Sequence, residues 1–392
     1  MKGVRLRIAL AVLVVGGCVA GAATASQQAA TGQGYKFVGT FGKSQLSGPQ
    51  GLAVAGNGNV YVADSNQSRV VVFSAGGAVK DKWGSSGDGN GQFAYPRDVA
   101  IAPNGAIWIA DDNNGRAQGF SAGGAYQLSL SIGNGYAARG VAVDASGNVL
   151  VAAEDGDHSG YRVFAGAAGS GGPLLGRGAY AARDIEASPD GTIFLLAVDS
   201  QAGQYQVRRY TADGKSLGTF TIPNPSGLGI DPDCNVWAGD FPNRAVTKYS
   251  PSGRKLATAA SGDMQANDIA VASNGDLYVT TNDAGIFHFA ENKAKPATAA
   301  VPGTIRFSKG KATIAYRANG FACPAQVDAV ATLKGKGVSG RGAAKVAAGK
   351  ATAIPMTVKA PAGKSTAATF TIVLSTNGRK TTETKKVTVV AK

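Results

Sequence analysis

Apolar four-residue units recur along the middle of the chain: Gly51–Val54, Asp98–Ile101, Gly140–Val143, Asp184–Ala187, Gly227–Ile230 and Asp268–Val271, offset by 47, 42, 44, 43 and 41 residues. A turn follows each unit, and then a second apolar run: Val60–Asp64, Ile107–Asp111, Val149–Ala152, Ile193–Leu196, Val236–Asp240 and Leu277–Thr280. A third segment ends on an aromatic residue: Phe73, Phe120, Phe164, Tyr210, Tyr249 and Phe289. Short β-branched and aromatic runs bounded by Gly, Asn, Asp and Pro predict strands. About four strands in a unit of ~40–45 residues is the pattern of a propeller blade, so the repeat predicts six blades. Gly58, Gly105, Gly147, Gly191 and Gly275 share one aligned turn position, and blade five has Cys234 there. A hairpin residue with positive φ accounts for the glycines. Cys234 is then expected to be an exposed, unpaired thiol on a strained turn, with a disulfide to Cys323 as the alternative.

The first unit, Pro49–Val54 followed by Gly58–Asp64, Asn66 and Arg69–Phe73, resembles an NHL repeat. The second keeps the pattern at Asp111, Asn113, Arg116 and Phe120, and the fifth at Asp240, Asn243 and Arg244. The third and fourth units depart from it, with Glu154 and Ala197 at the Asp position, and the sixth has Thr281. The resemblance covers residues 35–290 and implies a six-bladed β-propeller. It does not imply one function, because such propellers serve as binding platforms and as enzymes. The Asp and Arg of the motif are expected to fix loops through charge-assisted hydrogen bonds. Tyr35–Phe41 reads as an outer strand with no blade of its own, and the sixth unit lacks one after Phe289, so the N-terminal segment should complete blade six and hide the open edges.

Beyond a Lys/Ala/Pro linker at 293–302 the alternation continues without the repeat. Thr304–Ser308, Lys311–Arg317, Val327–Leu333, Ala351–Val358, Ala367–Leu374 and Lys380–Val390 alternate apolar and polar positions. Six or seven strands over 303–392 suggest a small immunoglobulin-like β-sandwich, although the immunoglobulin Cys…Trp…Cys spacing is missing. The whole chain is therefore read as all-β: a propeller at 35–292, then a sandwich.

Charge adds a division of labour. The net charge is +14, and residues 297–392 alone hold 16 Lys and Arg against Asp328 and Glu383. The propeller is close to neutral. A basic domain beside a neutral one points to an anionic partner for the former. At the other end Lys2, Arg5 and Arg7 precede the apolar run Ile8–Val15, the layout of an export signal. Cleavage after Ala23-Thr24-Ala25 gives a signal peptide of 1–25. Val15–Cys18 resembles a bacterial lipobox, which would instead make 1–17 the signal and Cys18 a lipidated residue. Residues 26–34 are a flexible tether in Ala, Gly, Gln and Thr.

Catalytic spacing is hard to find. The chain has 2 His, His158 and His288. Lactonases and lyases of the propeller class hold a metal on the channel axis, which would implicate the inner strands 51–55 and their equivalents. Those strands are read as Leu, Val, Ala and Gly, with Glu186 the one carboxylate, a poor metal cage. Glu154–His158 reads as a solvated acidic loop. No catalytic, metal or cofactor residue is expected. The expectation is a monomeric extracytoplasmic binding or scaffold protein with a protein or glycan partner on the propeller face. The basic domain would associate with anionic cell-wall polymer, and no nucleic acid is expected. The alternative is an enzyme of the lactonase or lyase kind.

Overall fold

The computed structural model describes residues 34–133, 135–154, 159–164, 175–178, 180–199, 202–262, 264–282, 285–292, 304–307, 311–317, 326–347, 351–359, 365–376 and 379–391. Segment 1–25, Cys18, most of the 26–34 tether, the 293–302 linker, His158 and Cys323 lie outside them.

Six four-stranded antiparallel sheets are present among the described residues, within Pro49–Trp83, Pro96–Ser131, Ala137–Gly178, Tyr180–Thr221 and Leu228–Ala260, and in Ala266–Glu291 joined by Tyr35–Phe41. These sheets are numbered as blades one to six. Inner strands of successive blades contact one another, and the sixth contacts the first, so the ring closes. Tyr35–Phe41 pairs antiparallel with Gly285–Glu291, as expected from the unmatched N-terminal strand. Tyr35 meets Trp237 of blade five edge-on at 4.8 Å, and Phe41 meets Phe73 of blade one at 5.4 Å. This one strand therefore contributes to the cores on both sides of blade six.

The alternation seen in the sequence sets these cores. The second strands of blades one and two, Val60–Asp64 and Ile107–Asp111, are buried on both faces because they lie between neighbouring sheets. Tyr61, Val70 and Val72 of blade one pack with Val99, Ile107, Ile109 and Phe120 of blade two. The six third-strand aromatics are all buried.

The five aligned turn glycines have φ between 84° and 90°. Cys234 follows them with φ 59°, but it corrects the expectation in two ways. It is 1% exposed and it is disulfide-bonded, its partner lying outside the described residues. Its turn is held from below: Cys234 N–H donates to Asp231 O at 2.9 Å, and the Asp231 carboxylate accepts from Asp233 and Asn235 N–H and pairs with Lys248 at 2.7 Å. Maleimide should therefore leave Cys234 unlabelled in the unreduced native protein and label it after reduction. Non-reducing peptide mapping that returns Cys234 as a free thiol would contradict this.

The C-terminal strands form one seven-stranded sheet in the order Thr304–Phe307, Arg379–Ala391, Ser365–Thr376, Gln326–Gly335, Val338–Ala347, Ala351–Lys359, Lys311–Arg317. Strand Val338–Ala347 escaped the sequence reading because its Gly- and Ala-rich run does not alternate; ten cross-strand pairs to Gln326–Gly335 hold it. The first strand runs parallel to the last, and the two edge strands touch, so the sheet curls over one apolar face. That face includes Leu333, Ile354, Met356, Phe370, Ile372 and Val389, all buried.

Candidate functional site at the mouth of the central channel

The motif residues behave as loop anchors. Asp64 accepts from Ser47 N–H and from Arg69 Nε at 2.8 Å, and Arg69 Nη2 donates to Gln45 O. Asp111 repeats this with Ala94 N–H and Arg116. In blade five Asp240 accepts from Asn243 Nδ2. None of these groups faces the channel axis. His288 stacks on Tyr278 at 4.4 Å, 3.4 Å from Asp276, in the third strand of blade six. Glu154 is not free in a solvated loop: it pairs with Arg139 at 2.6 Å.

The channel itself differs from the sequence reading. Glu186 is not its only carboxylate. Asp98, Asp184 and Asp268, on blades two, four and six, are 8%, 6% and 8% exposed and project into it. Blades one, three and five have Gly51, Gly140 and Gly227 at the same position. The alternation is a clasp. Asp98 Oδ2 accepts from Val141 N–H at 2.8 Å, Asp184 Oδ2 from Leu228 N–H at 2.7 Å, and Asp268 Oδ2 from Leu52 N–H at 3.0 Å. Each bond runs to the following blade. On the other side a Cβ at Gly51, Gly140 or Gly227 would collide with Oδ1 of Asp98, Asp184 or Asp268 respectively. The signal was in the aligned units, which begin Gly, Asp, Gly, Asp, Gly, Asp.

Burial drives these acids up. Burial raises Asp98 well above the ordinary carboxylate range, and the charges of Asp184 and Asp268 add to the shift. Asp268 is raised by burial and then by Asp184. Asp184 is pushed only to about 6, because the N–H groups of Leu228 and Ile185 and the charge of Arg97 oppose its burial.

Above this layer, single-residue bulges reshape the inner strands. Pro96 pairs with Asp111 and Asp98 with Ala110, leaving Arg97 as the extra residue. Arg139, Arg183 and Asn267 are the extra residues of blades three, four and six. A bulge turns aside a side chain that regular pleating would send to the opposite face. With Gln50, Ser226 and the three aspartates these residues line a narrow mouth of about 20 Å³, room for about one water. One half of the rim is polar and tied down: Asn267 Nδ2 donates to Pro49 O and Asn282 Oδ1. The other half is cationic. Arg139 is shared between Asp112 at 2.8 Å and Glu154, Arg97 reaches Asp112 only at 3.6 Å, and Arg183 has no partner among the described residues.

Below the neck the channel widens to about 220 Å³. Its wall is otherwise apolar, and Glu186 takes the aligned position that holds Ala53, Ala100, Ala142, Gly229 and Ala270 in the other blades, so it is the one charged side chain on that wall. Burial, then Asp184 and Asp268, raise it well above its ordinary range. A propeller lyase or lactonase metal would need several of these acids to converge. Among the described residues no three His, Cys, Asp or Glu side chains are placed to hold an ion. Each aspartate is already committed to a backbone N–H of the next blade, so the residues present do not fit an axial metal.

The NHL repeat model matches residues 46–73 and 93–120, the cores of blades one and two. Two blades of the propeller thus carry NHL repeats. Solved structures agree on the fold. A gluconolactonase from Xanthomonas campestris is 12% identical, with a TM-score of 0.51 over 63% of this chain and 87% of its own. Hydrazine synthase of Kuenenia stuttgartiensis is 12% identical, with a TM-score of 0.50 over 62% of this chain and 96% of its own. Comparison with curated protein sequences finds no match. At these identities the NHL propeller shares architecture with its neighbours, and their chemistry is their own. No helix among its described residues is long and apolar enough to cross a membrane.

Proposed function

We propose that this NHL propeller is an extracytoplasmic binding protein that receives a carboxylate group of a glycan or protein partner at the mouth of its channel. The basic C-terminal domain holds the molecule near anionic envelope polymer. One observation carries the reading: bulges at the same position of three successive blades put Arg97, Arg139 and Arg183 on one side of one mouth. A guanidinium offers five N–H donors in a fork that matches a carboxylate. Arg183 uses none of its donors on a described residue, and Arg97 holds its one acid at 3.6 Å. The neck below admits about a water, so the partner rests on the rim and inserts one planar group.

The second reading, an enzyme of the lactonase or lyase kind, draws support from the four channel carboxylates. Their spread around the ring and their backbone bonds favour structural work. Elemental analysis of the purified protein separates the two, since a stoichiometric divalent metal would favour the enzyme. For the binding reading, calorimetric titration with oligogalacturonate and with short acidic peptides should detect a complex with at least one. Arg183→Ala should weaken it about tenfold, the equivalent of about 1.4 kcal/mol, without changing the melting temperature. Absence of binding to either ligand class, or affinity indifferent to Arg183→Ala, would remove the mouth as the site.

A further inference from the structure

Each inner strand is the end strand of its four-stranded blade, so one of its edges faces the channel. The clasps mark which residues turn to that edge. Leu52, Val141 and Leu228 donate their N–H to the aspartate of the preceding blade, and Val99, Ile185 and Ile269 donate to the aspartate just before them in their own strand. In an antiparallel strand the N–H and C=O of one residue lie on the same side, so six carbonyls encircle the channel just below the aspartates. The chamber they face has no Lys, Arg or His in its wall. Blade four departs from this ring twice. Glu186 stands where the other five blades have Ala or Gly, and beside it Ala187 stands where they have Val54, Ile101, Val143, Ile230 and Val271. One blade is therefore charged where the others are neutral, and slim where the others are bulky. The Glu186 carboxylate accepts from the N–H of Ala187, and no cation or other donor among the described residues holds it.

We infer that this chamber binds a small organic ammonium ion, a primary amine carried on a compact apolar body. A primary ammonium has three N–H donors, enough for the Glu186 carboxylate and two of the carbonyls beside it. The apolar body lies against the Val and Ile side chains, with Ala187 leaving room for it next to the acid. The chamber, about 220 Å³, suits a ligand of a few carbons or one aromatic ring. A bare metal ion would leave that apolar wall unused. A purely structural role does not account for Glu186, because five blades close the ring without an acid there, and a carboxyl drawn away from water is favourable only when it finds a cation. Val54, Ile101, Val143, Ala187, Ile230 and Val271 are the last residues of their inner strands and are all partly exposed, so the ligand enters from the end of the channel opposite the arginines. The site is separate from the one proposed at the mouth.

The test is calorimetric titration of the chain from residue 26 onward with phenylethylamine, and with phenylethanol as its neutral counterpart, at about pH 8, where a primary amine is still charged. The amine should saturate one site and bind at least tenfold more tightly than the alcohol. Glu186→Gln should weaken amine binding at least tenfold and bring amine and alcohol within threefold of each other, while its melting temperature does not fall. Asp88→Asn, which removes the same charge from an exposed loop, should bind like the parent. Ala187→Val keeps every charge and fills the gap beside the acid, so it should weaken the amine at least threefold. No saturable amine binding by the parent, equal affinity for amine and alcohol, unchanged binding in Glu186→Gln or in Ala187→Val, or displacement of the amine by equimolar sodium ion would each overturn the proposal. Arg183→Ala should bind the amine like the parent, so failure at the mouth and failure in the chamber are read separately.

Discussion

A chain shortened to begin at Ser47 should fail to give a soluble propeller, or should melt far below the parent. Residues 35–41 supply the fourth strand of blade six, and Tyr35, Phe37 and Phe41 pack against Trp237, Phe287, Phe289, Phe73 and Tyr278. A fully buried aromatic contributes about 1.5–3 kcal/mol, which applies to Tyr35, and the half-buried Phe37 and Phe41 contribute part of that each. Losing the three therefore costs about 3–6 kcal/mol, before the strand pairing is counted. A whole domain holds only about 5–15 kcal/mol in reserve. The bare edge of Gly285–Glu291 would also be open to pairing with another chain. Soluble yield and a thermal melt decide the matter. A truncated protein that melts with the parent would show that the ring closes by other contacts.

The second large effect belongs to the aspartate clasps. Asp268→Ala leaves the N–H of Leu52 without its acceptor at the seam where blade six meets blade one. It also removes the acceptor for Ile269 N–H. Each buried unpaired donor costs about 1–3 kcal/mol, so about 2–5 kcal/mol is expected in urea unfolding at pH 7. Glu186→Gln should act the other way, because it removes a partly buried charge on a side chain that ties no blades. A gain of about 1 kcal/mol or more corresponds to relief of a single pKa unit. The pH dependence follows in sign. These acids bind protons more tightly folded than unfolded, so their contribution is full below the unfolded value near 4 and declines as pH rises through the folded values, that of Asp184 being about 6. Melting temperature should therefore fall between pH 4 and 7, less steeply in Glu186→Gln. A rise over that window, or an unchanged slope in the variant, would show the acids to be ordinary.

The sequence held more of the fold than of the site, for a physical reason. Blade strands announce themselves by alternation, and hairpins by the glycines at 58, 105, 147, 191 and 275, because both are local rules. Closure by Tyr35–Phe41 was legible as a surplus strand at one end and a deficit at the other. A bulge is different: it is a property of two strands in register, and nothing in Pro96-Arg97-Asp98 states that Arg97 will be the unpaired residue. The aspartates were visible at the head of each unit, but their meaning lay in comparing units around a ring, where Gly and Asp exchange. Cys234 was read from its own turn alone, whereas its burial and its disulfide are set by parts of the chain distant from that turn.

The alternation of Asp and Gly also imposes a rule of parity. Each carboxylate needs a glycine in the blade before it, to leave room, and a backbone N–H to hold in the blade after it. Six satisfies this, as would four or eight. Five or seven would break the alternation: two aspartates would crowd one seam, or two glycines would leave one seam without a clasp. The countable module of this ring is thus a pair of blades used three times.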